Sequence, residues 1–338
     1  MIEINRNKLL NALEMTVPGL SMKAMAEQSN CFIFNVGVVR TFNEEVSCAC
    51  EVPVDFSGAV LANPLLELLR KMSEETIQIK QTDTHFMVKG KRRQAGVRME
   101  RGIELDMTEL ESPGQWKELN PAFLEALEMV KTCCSKDEQQ FVKTCIHMHP
   151  ERMESMDDFQ AARVKIKTGF DKPALLRGRA ATAIRQSDVS HLAITPHWIH
   201  FGNGQGFVIS CVKHVDDFPD LDQIITSTGR PISIPKGLTE AVEIAEVFSK
   251  NDIDHNYIHI SLATGKVKIR GEGVDGFFSE IRPVKYKGEK MGFRVSPTML
   301  NFVVRHGNKC KIEEGRLKLK NGNFTYVTCL EAEQKKGN

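Results

Sequence analysis

The sequence lacks any run of the roughly 20 consecutive apolar residues that a membrane-spanning helix needs. Its first residues, MIEINRNKLL, carry no apolar segment behind a basic start, so no secretory signal peptide is predicted. The nine cysteines are scattered, and none has the spacing of a zinc site or a redox motif. We therefore expect a protein of the reducing cytoplasm, with no membrane partner, no metal ion and no cofactor.

Motifs of the common enzyme classes are also missing. There is no phosphate-binding loop ending in lysine and no serine in a nucleophile elbow. The glycines of GNGQG at 202–206 are not followed by a strand-to-helix turn with the right spacing, and they predict a hairpin tip. His147 and His149 place two imidazoles on one face of a predicted strand, but no further ligand pattern completes a metal site. The sequence predicts a protein that is not an enzyme.

A strong charge of one sign is absent as well. The chain has 45 Lys and Arg against 44 Asp and Glu, a formal net charge of +1. This balance argues against a protein that grips nucleic acid with its whole surface, although it permits a local basic face. Residues 230–338 carry an excess of six cations, much of it on predicted strands and turns: Lys266, Lys268, Lys285, Lys287, Lys290, Lys318 and Lys320. For these we predict no role beyond solubility.

What the sequence does contain is a threefold repeat of one helical pattern. LLNALEM at 9–15, FLEALEM at 123–129 and LTEAVEI at 238–244 align, with their alanines 114 and 115 residues apart. In each copy, apolar residues recur three and four positions apart, as in an amphipathic helix. A second helix is predicted after each copy, led by Pro64, Pro173 and Pro297 at its start.

Between these helices the apolar period changes to two, which is typical of half-buried strands. Residues 76–80, 257–260 and 266–270 alternate in this way, and Asn321–Asn323 separates two further strands as a hairpin. Each unit then comprises two helices and several antiparallel strands. A chain of 338 residues is long for one core, and the repeat predicts three α+β domains at 1–112, 113–229 and 230–338.

Three such units in one chain resemble the bacterial DNA sliding clamp, the β subunit of the replicative polymerase. VDDFPDL at 215–221 resembles the family's V-D-G-R-F-P-D-Y segment. GFRVS at 292–296 is similar to the family's G-F-N-V-S-Y-L, and YVTCL at 326–330 is similar to Y-V-V-M-P-M. The resemblance covers almost the whole chain, and it leaves a cellular or a phage origin open, with the infected host cell as the location in the second case.

The resemblance implies a DNA polymerase processivity factor that closes as a head-to-tail homodimer around duplex DNA. Helices would face the hole, and a ring that holds DNA by topology needs only weak contacts to phosphate, which is compatible with the near-zero charge. The implied partners are duplex DNA without sequence preference, the replicative polymerase, the clamp loader, a second copy of the chain, and other proteins with short clamp-binding peptides.

The resemblance also implies three sets of site residues. The first set, on or beside the helices and in one loop, would contact DNA: Lys8, Lys23, Arg70, Lys71, Lys131, Gln140, Phe141, Arg177, Arg179, Arg185 and Arg305. The second set would line an apolar cleft for partner peptides: Phe159, Ala161, Ala162, Phe218, Ile224, Ile225, Val327, Cys329 and Leu330. The third set would lie at the dimer contact: Val97, Met99, Val247 and Phe248.

One alternative stays open at this point. Where the family usually has D-G-H-R-L beside the cleft, this chain has DDFQA at 157–161. A clamp-like adaptor or decoy that binds replication proteins without closing around DNA is compatible with such changes.

Overall fold

The computed structural model describes residues 2–332 except 22–25, 227–228, 236, 250–255 and 314. The chain divides into two compact units, Met1–Glu128 with Lys167–Asp216, and Met129–Ile166 with Asp217–Asn338. Each unit combines helices with antiparallel sheet, and the strands form three sheet groups, which confirms the predicted α+β class. The division into three domains, with boundaries after residues 112 and 229, stays a prediction. Among the described residues, no helix is both long enough and apolar enough to span a bilayer.

Seven α-helices are described. They are α1 Arg6–Thr16, α2 Ala62–Lys71, α3 Phe123–Lys131, α4 Gly178–Gln186, α5 Asp222–Ile225, α6 Leu238–Ser249 and α7 Pro297–His306. Two short 3₁₀ helices lie at Val17–Gly19 and Glu138–Thr144. The cap of α1 is typical of its sequence, since the Asn5 side chain accepts a hydrogen bond of 3.0 Å from the Lys8 amide.

The strands are given in chain order, in three groups that follow the chain and not the sheets. The first group is β1 Ile2–Asn5, β2 Cys31–Asn35, β3 Val38–Phe42, β4 Val46–Glu51, β5 Ser57–Leu61, β6 Thr76–Gln81, β7 His85–Lys89, β8 Gln94–Glu100 and β9 Lys117–Glu118. The second is β10 Cys145–His149, β11 Arg152–Met156, β12 Gln160–Lys165, β13 Ala174–Arg177, β14 His191–Ile194, β15 Trp198–Gly202 and β16 Phe207–Val212. The third is β17 Arg230–Ser233, β18 Ile258–Ala263, β19 Lys266–Gly273, β20 Gly276–Pro283, β21 Met291–Val295, β22 Lys309–Glu313, β23 Arg316–Asn321, β24 Phe324–Cys329 and β25 Glu331–Ala332.

One continuous sheet runs through the first unit. Its order is β1-β6-β7-β8-β5-β2-β3-β4-β16-β15-β14-β9. Strands β4 and β16 are joined in antiparallel register, from Cys50 opposite Phe207, 157 residues further along the chain, to Val46 opposite Cys211. The predicted first and second domains therefore share one backbone ladder.

The second unit has two sheets. In one, β10, β11, β12, β24, β23, β22 and β17 follow one another, and β12 pairs with β24 from Gln160 opposite Thr328 to Val164 opposite Phe324. The other has the order β20-β19-β18-β21-β25. Here β20 is an edge strand that pairs only with β19 among the described residues.

The repeated alanines lie where a helix packs on its sheet. Ala12, Ala126 and Ala241 are all buried. In the third copy, one turn after Ala241, an added Cβ at Gly271 of β19 would lie 1.9 Å from the carbonyl oxygen of Ala245 in α6. Small residues are needed at such contacts because any larger side chain would push the helix off the sheet.

The predicted helices and strands are mostly confirmed, with one exception. All three repeated patterns are helical, α7 begins at Pro297, and α2 begins two residues before Pro64. The prediction of a helix led by Pro173 is wrong, because Ala174–Arg177 forms strand β13 and Leu175 bridges His214. A short apolar run fits a buried strand as well as a helix, and α4 begins only at Gly178.

Candidate functional site

Two of the predicted DNA-contacting arginines form ion pairs with a glutamate of the neighbouring helix. Arg70 Nε in α2 lies 2.9 Å from Glu14 Oε1 in α1, and Arg305 Nη2 in α7 lies 3.0 Å from Glu243 Oε1 in α6. The four side chains are 41% to 62% exposed, so both pairs are solvated. Such pairs stabilise a fold little, but each glutamate offsets one cation of the predicted DNA-facing surface.

The other helical cations differ in exposure. Lys8 in α1 and Arg185 in α4 are exposed and form no ion pair within the described ranges. Lys71 is highly exposed and pairs at 3.4 Å with a glutamate one turn earlier. Lys131, the last residue of α3, is half-buried. Lys23 lies outside the described residues.

Arg177 and Arg179 share one acidic partner. The Arg179 side chain, 58% exposed, contacts the carboxylate of Glu45, and Arg177 Nε lies 3.8 Å from Glu45 Oε1. Arg177 itself is only 4% exposed, at the end of β13. This argues against the predicted contact of Arg177 with DNA. A buried arginine beside a carboxylate is a structural ion pair and is not accessible to phosphate.

The loop with Gln140 and Phe141 is tied to a neighbouring turn. Gln140 Nε2 donates to Asp158 Oδ2 at 2.9 Å, and Lys143 pairs with the same carboxylate. Hydrogen bonds from Lys143 and Gln140 lower the pKa of Asp158. Phe141 is half-buried. The polar end of this loop is therefore occupied by its own acidic partner.

Most of the predicted cleft residues come together in the second unit. Ala161, Leu221 and Ile225 are buried in one apolar cluster, and Met156, Phe218 and Ile224 pack against it while partly exposed. We call these six residues the apolar cleft. Val327 lies directly opposite Ala161 in the sheet and is buried, whereas Phe159 at the preceding turn is 47% exposed.

Three predicted cleft residues have other surroundings. Ala162 points to the opposite face of the sheet from Ala161, into the core beside Tyr326, because successive strand residues alternate. Leu330 lines a separate cavity of about 570 Å³, with residues of β21 and β22. Cys329 is exposed, and its amide donates to the Phe159 carbonyl at 2.7 Å. Ala162 and Leu330 are thus corrected to core and cavity positions.

A buried charge network holds the segment that carries Phe218 against the sheet. Glu154, 2% exposed, accepts hydrogen bonds from Arg163 Nε at 2.5 Å and pairs with His147 Nδ1 at 2.9 Å. Arg163 also donates to Asp222 Oδ1 at 2.6 Å, and the Phe218 ring stacks on His147 with centroids 4.9 Å apart. The cleft segment is therefore fixed by an ion pair at one end and by ring stacking at the other.

The same network sets the ionisation of Glu154. Burial alone would raise its pKa, but the hydrogen bond with His147 and the charges of Arg163 and Arg152 lower the pKa of Glu154 to about 2. The carboxylate is charged at neutral pH. Within the described residues, no group of three or more His, Cys, Asp or Glu side chains is arranged to hold a metal ion.

The predicted dimer residues fall into two classes. Val247 in α6 is 62% exposed and Phe248 beside it is half-buried. Val97 and Met99 in β8 are buried in the core of the first unit. A second chain at this edge can reach the β8 backbone and its alternate side chains, such as Gln94 and Arg98, but not these two.

Sequence reasoning missed the acidic partners. Glu14, Glu128 and Glu243 each lie two residues after the repeated alanine, so the signal was present in the aligned patterns. Glu45 and Asp222 have no such signal, because their partners are far away along the chain. The partners of Glu154 lie within nine residues, on β10, β11 and β12, but no repeated pattern marks them.

No protein-family model matches the sequence, and no curated protein matches it. Solved structures do match. The DNA polymerase III beta subunit of Thermotoga maritima is 12% identical with a TM-score of 0.85, covering 98% of this chain and 99% of that one. The beta chain from Streptococcus pneumoniae is 14% identical (TM-score 0.84, 97% and 98%), and the Pseudomonas aeruginosa sliding clamp bound to griselimycin is 13% identical (0.83, 97% and 98%). The chain therefore has the fold of the DNA polymerase III beta sliding clamps, as its resemblance to that family predicted.

Proposed function

We propose that this protein is a sliding clamp, a processivity factor without enzyme activity that closes as a ring of two chains around duplex DNA. The observation that carries the proposal is the match of nearly the whole chain, and not of one domain, to beta clamps at TM-scores of 0.83 to 0.85. The proposal includes tethering of a replicative polymerase, a loader and other proteins through the apolar cleft.

Ring closure is supported by an exposed apolar edge. On β20, Phe277 and Ile281 are 64% and 61% exposed, and Val247 of α6, which packs on β20, is 62% exposed. An edge strand of eight residues with such side chains is an aggregation hazard unless another strand covers it. A second copy of the chain is the occupant that a ring requires.

The matching edge would be β8. Strand β7 pairs with β8 from Gln94 to Arg98, whereas β5 pairs with it only at Met99 and Glu100. The other side of residues 94–98 has no strand partner in the described part of the chain. A head-to-tail contact between β20 of one chain and β8 of the next would cover both edges and close a ring after two copies.

DNA would be held weakly, by few cations. Lys8 and Arg185 are exposed and unpaired within the described ranges, whereas Arg70, Arg179 and Arg305 each have a carboxylate partner. Such a surface suits a ring that slides, because retention comes from topology and the contacts need only be non-specific.

The decisive experiment combines mass and retention. Sedimentation at micromolar concentration should give twice the chain mass of 38.0 kDa, and loaded protein should stay on nicked circular DNA but leave after linearisation. A stable monomer that binds partner peptides but is not retained on circles would instead support the adaptor alternative. Retention that is equal on circular and linear DNA would contradict a topological hold.

The cleft has its own test. Phe218→Ala should weaken binding of any peptide that docks there, because it removes a ring from the cleft wall. Phe159→Ala tests how much the exposed turn beside the cleft contributes to the peptide affinity. Unchanged peptide affinity in Phe218→Ala would show that the partners dock elsewhere.

A further inference from the structure

Four lysines share the outer face of the sheet in the second unit. Lys309 and Lys311 alternate along β22, and Lys318 and Lys320 alternate along β23, with Lys311 directly opposite Lys318. The residues between them, Cys310 and Leu319, point to the core on the other face. We call these four lysines the lysine strip.

The strip places four like charges together, and Glu313 is a carboxylate on the same face of β22. Like charges directly opposite each other on a sheet destabilise it. Lys309, Lys311 and Lys320 are exposed and have no carboxylate partner among the residues that the structure describes. Burial, followed by the charges of Lys311 and Lys320, lowers the pKa of Lys318. Lys309, Lys311 and Lys320 therefore give this face an exposed positive charge that attracts an anion.

Lys318 connects the strip to the apolar cleft. Its Nζ donates to the carbonyl of Ile225, the last residue of α5 and part of the cleft. Lys318 lies opposite Val327, which lies opposite Ala161 of the cleft. Adjacent strands are about 4.8 Å apart, so Ala161 lies about 10 Å from Lys318 and about 14 Å from Lys311 across the sheet. An extended peptide covers these distances in about three to five residues.

We propose that the lysine strip binds acidic residues that flank the apolar anchor of a partner peptide seated in the cleft. This inference rests on the proposed peptide-binding role of the cleft and adds the chemical class of its partners: short segments with apolar anchors and carboxylates three to five residues away. The positive strip and a negative flank are complementary, and such contacts raise affinity and specificity at the rim of an interface.

Duplex DNA is the competing anion, and the observations favour a peptide. The strip lies on the same sheet face as the apolar cleft. A peptide with apolar anchors can fill this cleft, and a phosphate backbone cannot.

The test uses fluorescein-labelled synthetic peptides and the full-length protein. Each peptide carries two leucines and a phenylalanine as anchors. Three glutamates lie three residues after the anchors in one peptide and three residues before them in another. The matched peptides carry three glutamines in the same places. Fluorescence anisotropy at 50 and 500 mM salt should show the glutamate peptide binding about five- to tenfold more tightly at low salt, with the advantage lost at high salt.

In the variant Lys311→Gln with Lys320→Gln, the glutamate and glutamine peptides should bind with about equal affinity, and the affinity of the glutamine peptide should be unchanged. Lys318 is retained because it holds α5. The control, Lys266→Gln with Lys268→Gln, removes the same charge from β19 in the other sheet and should keep the advantage.

The outcomes separate the two proposals. Equal, Phe218-dependent binding of both peptides would overturn the strip and leave the cleft intact. Failure of both peptides to bind would overturn the cleft and the strip together. If the control variant also lost the advantage, the difference in affinity would depend only on net charge, and the proposed role of the strip would be overturned. A 20-base-pair duplex that loses affinity in Lys311→Gln with Lys320→Gln, when the glutamate peptide does not, would assign the strip to DNA.

Discussion

Arg70 of α2 and Glu14 of α1 form an ion pair of 2.9 Å, and Arg305 of α7 and Glu243 of α6 repeat it at 3.0 Å. In both pairs the arginine lies two residues before the C-cap of its helix, and the glutamate lies two residues after the repeated alanine. Arg185 and Glu128 occupy the same places in the second copy. The repeat therefore keeps the positions of these charges in all three copies, and the ion pair is formed in the first and the third.

The paired glutamates should weaken DNA binding. Glu14→Gln with Glu243→Gln frees two arginines, so we expect tighter binding to linear duplex at low salt. The slope of log affinity against log salt concentration should steepen by up to about 0.9 per freed arginine. Anisotropy across a salt series measures this, and Glu272→Gln, which frees Arg270 on a strand, is the control. An unchanged slope would mean that these helices do not face DNA.

Alanine substitutions should show that Arg177 has a structural role and that Arg185 contacts DNA. Arg177→Ala leaves a buried position empty and removes one cation from Glu45, so we expect a loss of about 2 kcal/mol in the free energy of unfolding. Arg185→Ala removes an exposed cation and should leave that free energy nearly unchanged while weakening DNA binding. Urea unfolding and anisotropy check the two variants, and the reverse result would contradict the assignment.

Glu154 should make the second unit sensitive to acid. Its pKa of about 2 lies below the usual value of about 4.5, so the stabilisation is complete above pH 4.5 and is lost as the pH falls towards 2. The shift corresponds to about 3 kcal/mol. Glu154→Gln should therefore be less stable than the parent at pH 7, with a difference that narrows between pH 5 and pH 2. Urea unfolding at several pH values measures it, and a constant difference would contradict the expected linkage.

The edge of β20 should determine the oligomeric state. Phe277→Glu with Ile281→Glu places two charges on the exposed edge and should convert a dimer into a monomer in sedimentation velocity. Phe159→Glu changes an exposed aromatic residue away from this edge and should leave the mass unchanged. If the doubly substituted chain stays dimeric, the contact between copies lies on another surface.

The repeat, the helices that carry it and the fold were predictable because they depend on short-range patterns. Strand β13 was not, because an apolar stretch such as Ala174–Leu176 becomes a strand only when a partner such as His214 is available. Arg177 is buried at the end of that strand, and the direction of Ala162 depends on a different long-range pairing, that of β12 with β24. Of the cleft that the resemblance to the clamp family implied, Ala161, Phe218 and Ile225 do pack together.

The ladder between β4 and β16 has a mechanical consequence for a ring of the proposed kind. The two strands pair at five consecutive positions within one chain, from Val46 and Cys211 to Cys50 and Phe207. Separating them would break several hydrogen bonds at once and expose buried side chains. In a ring of the proposed kind this joint would therefore stay closed, and DNA would have to enter through another joint.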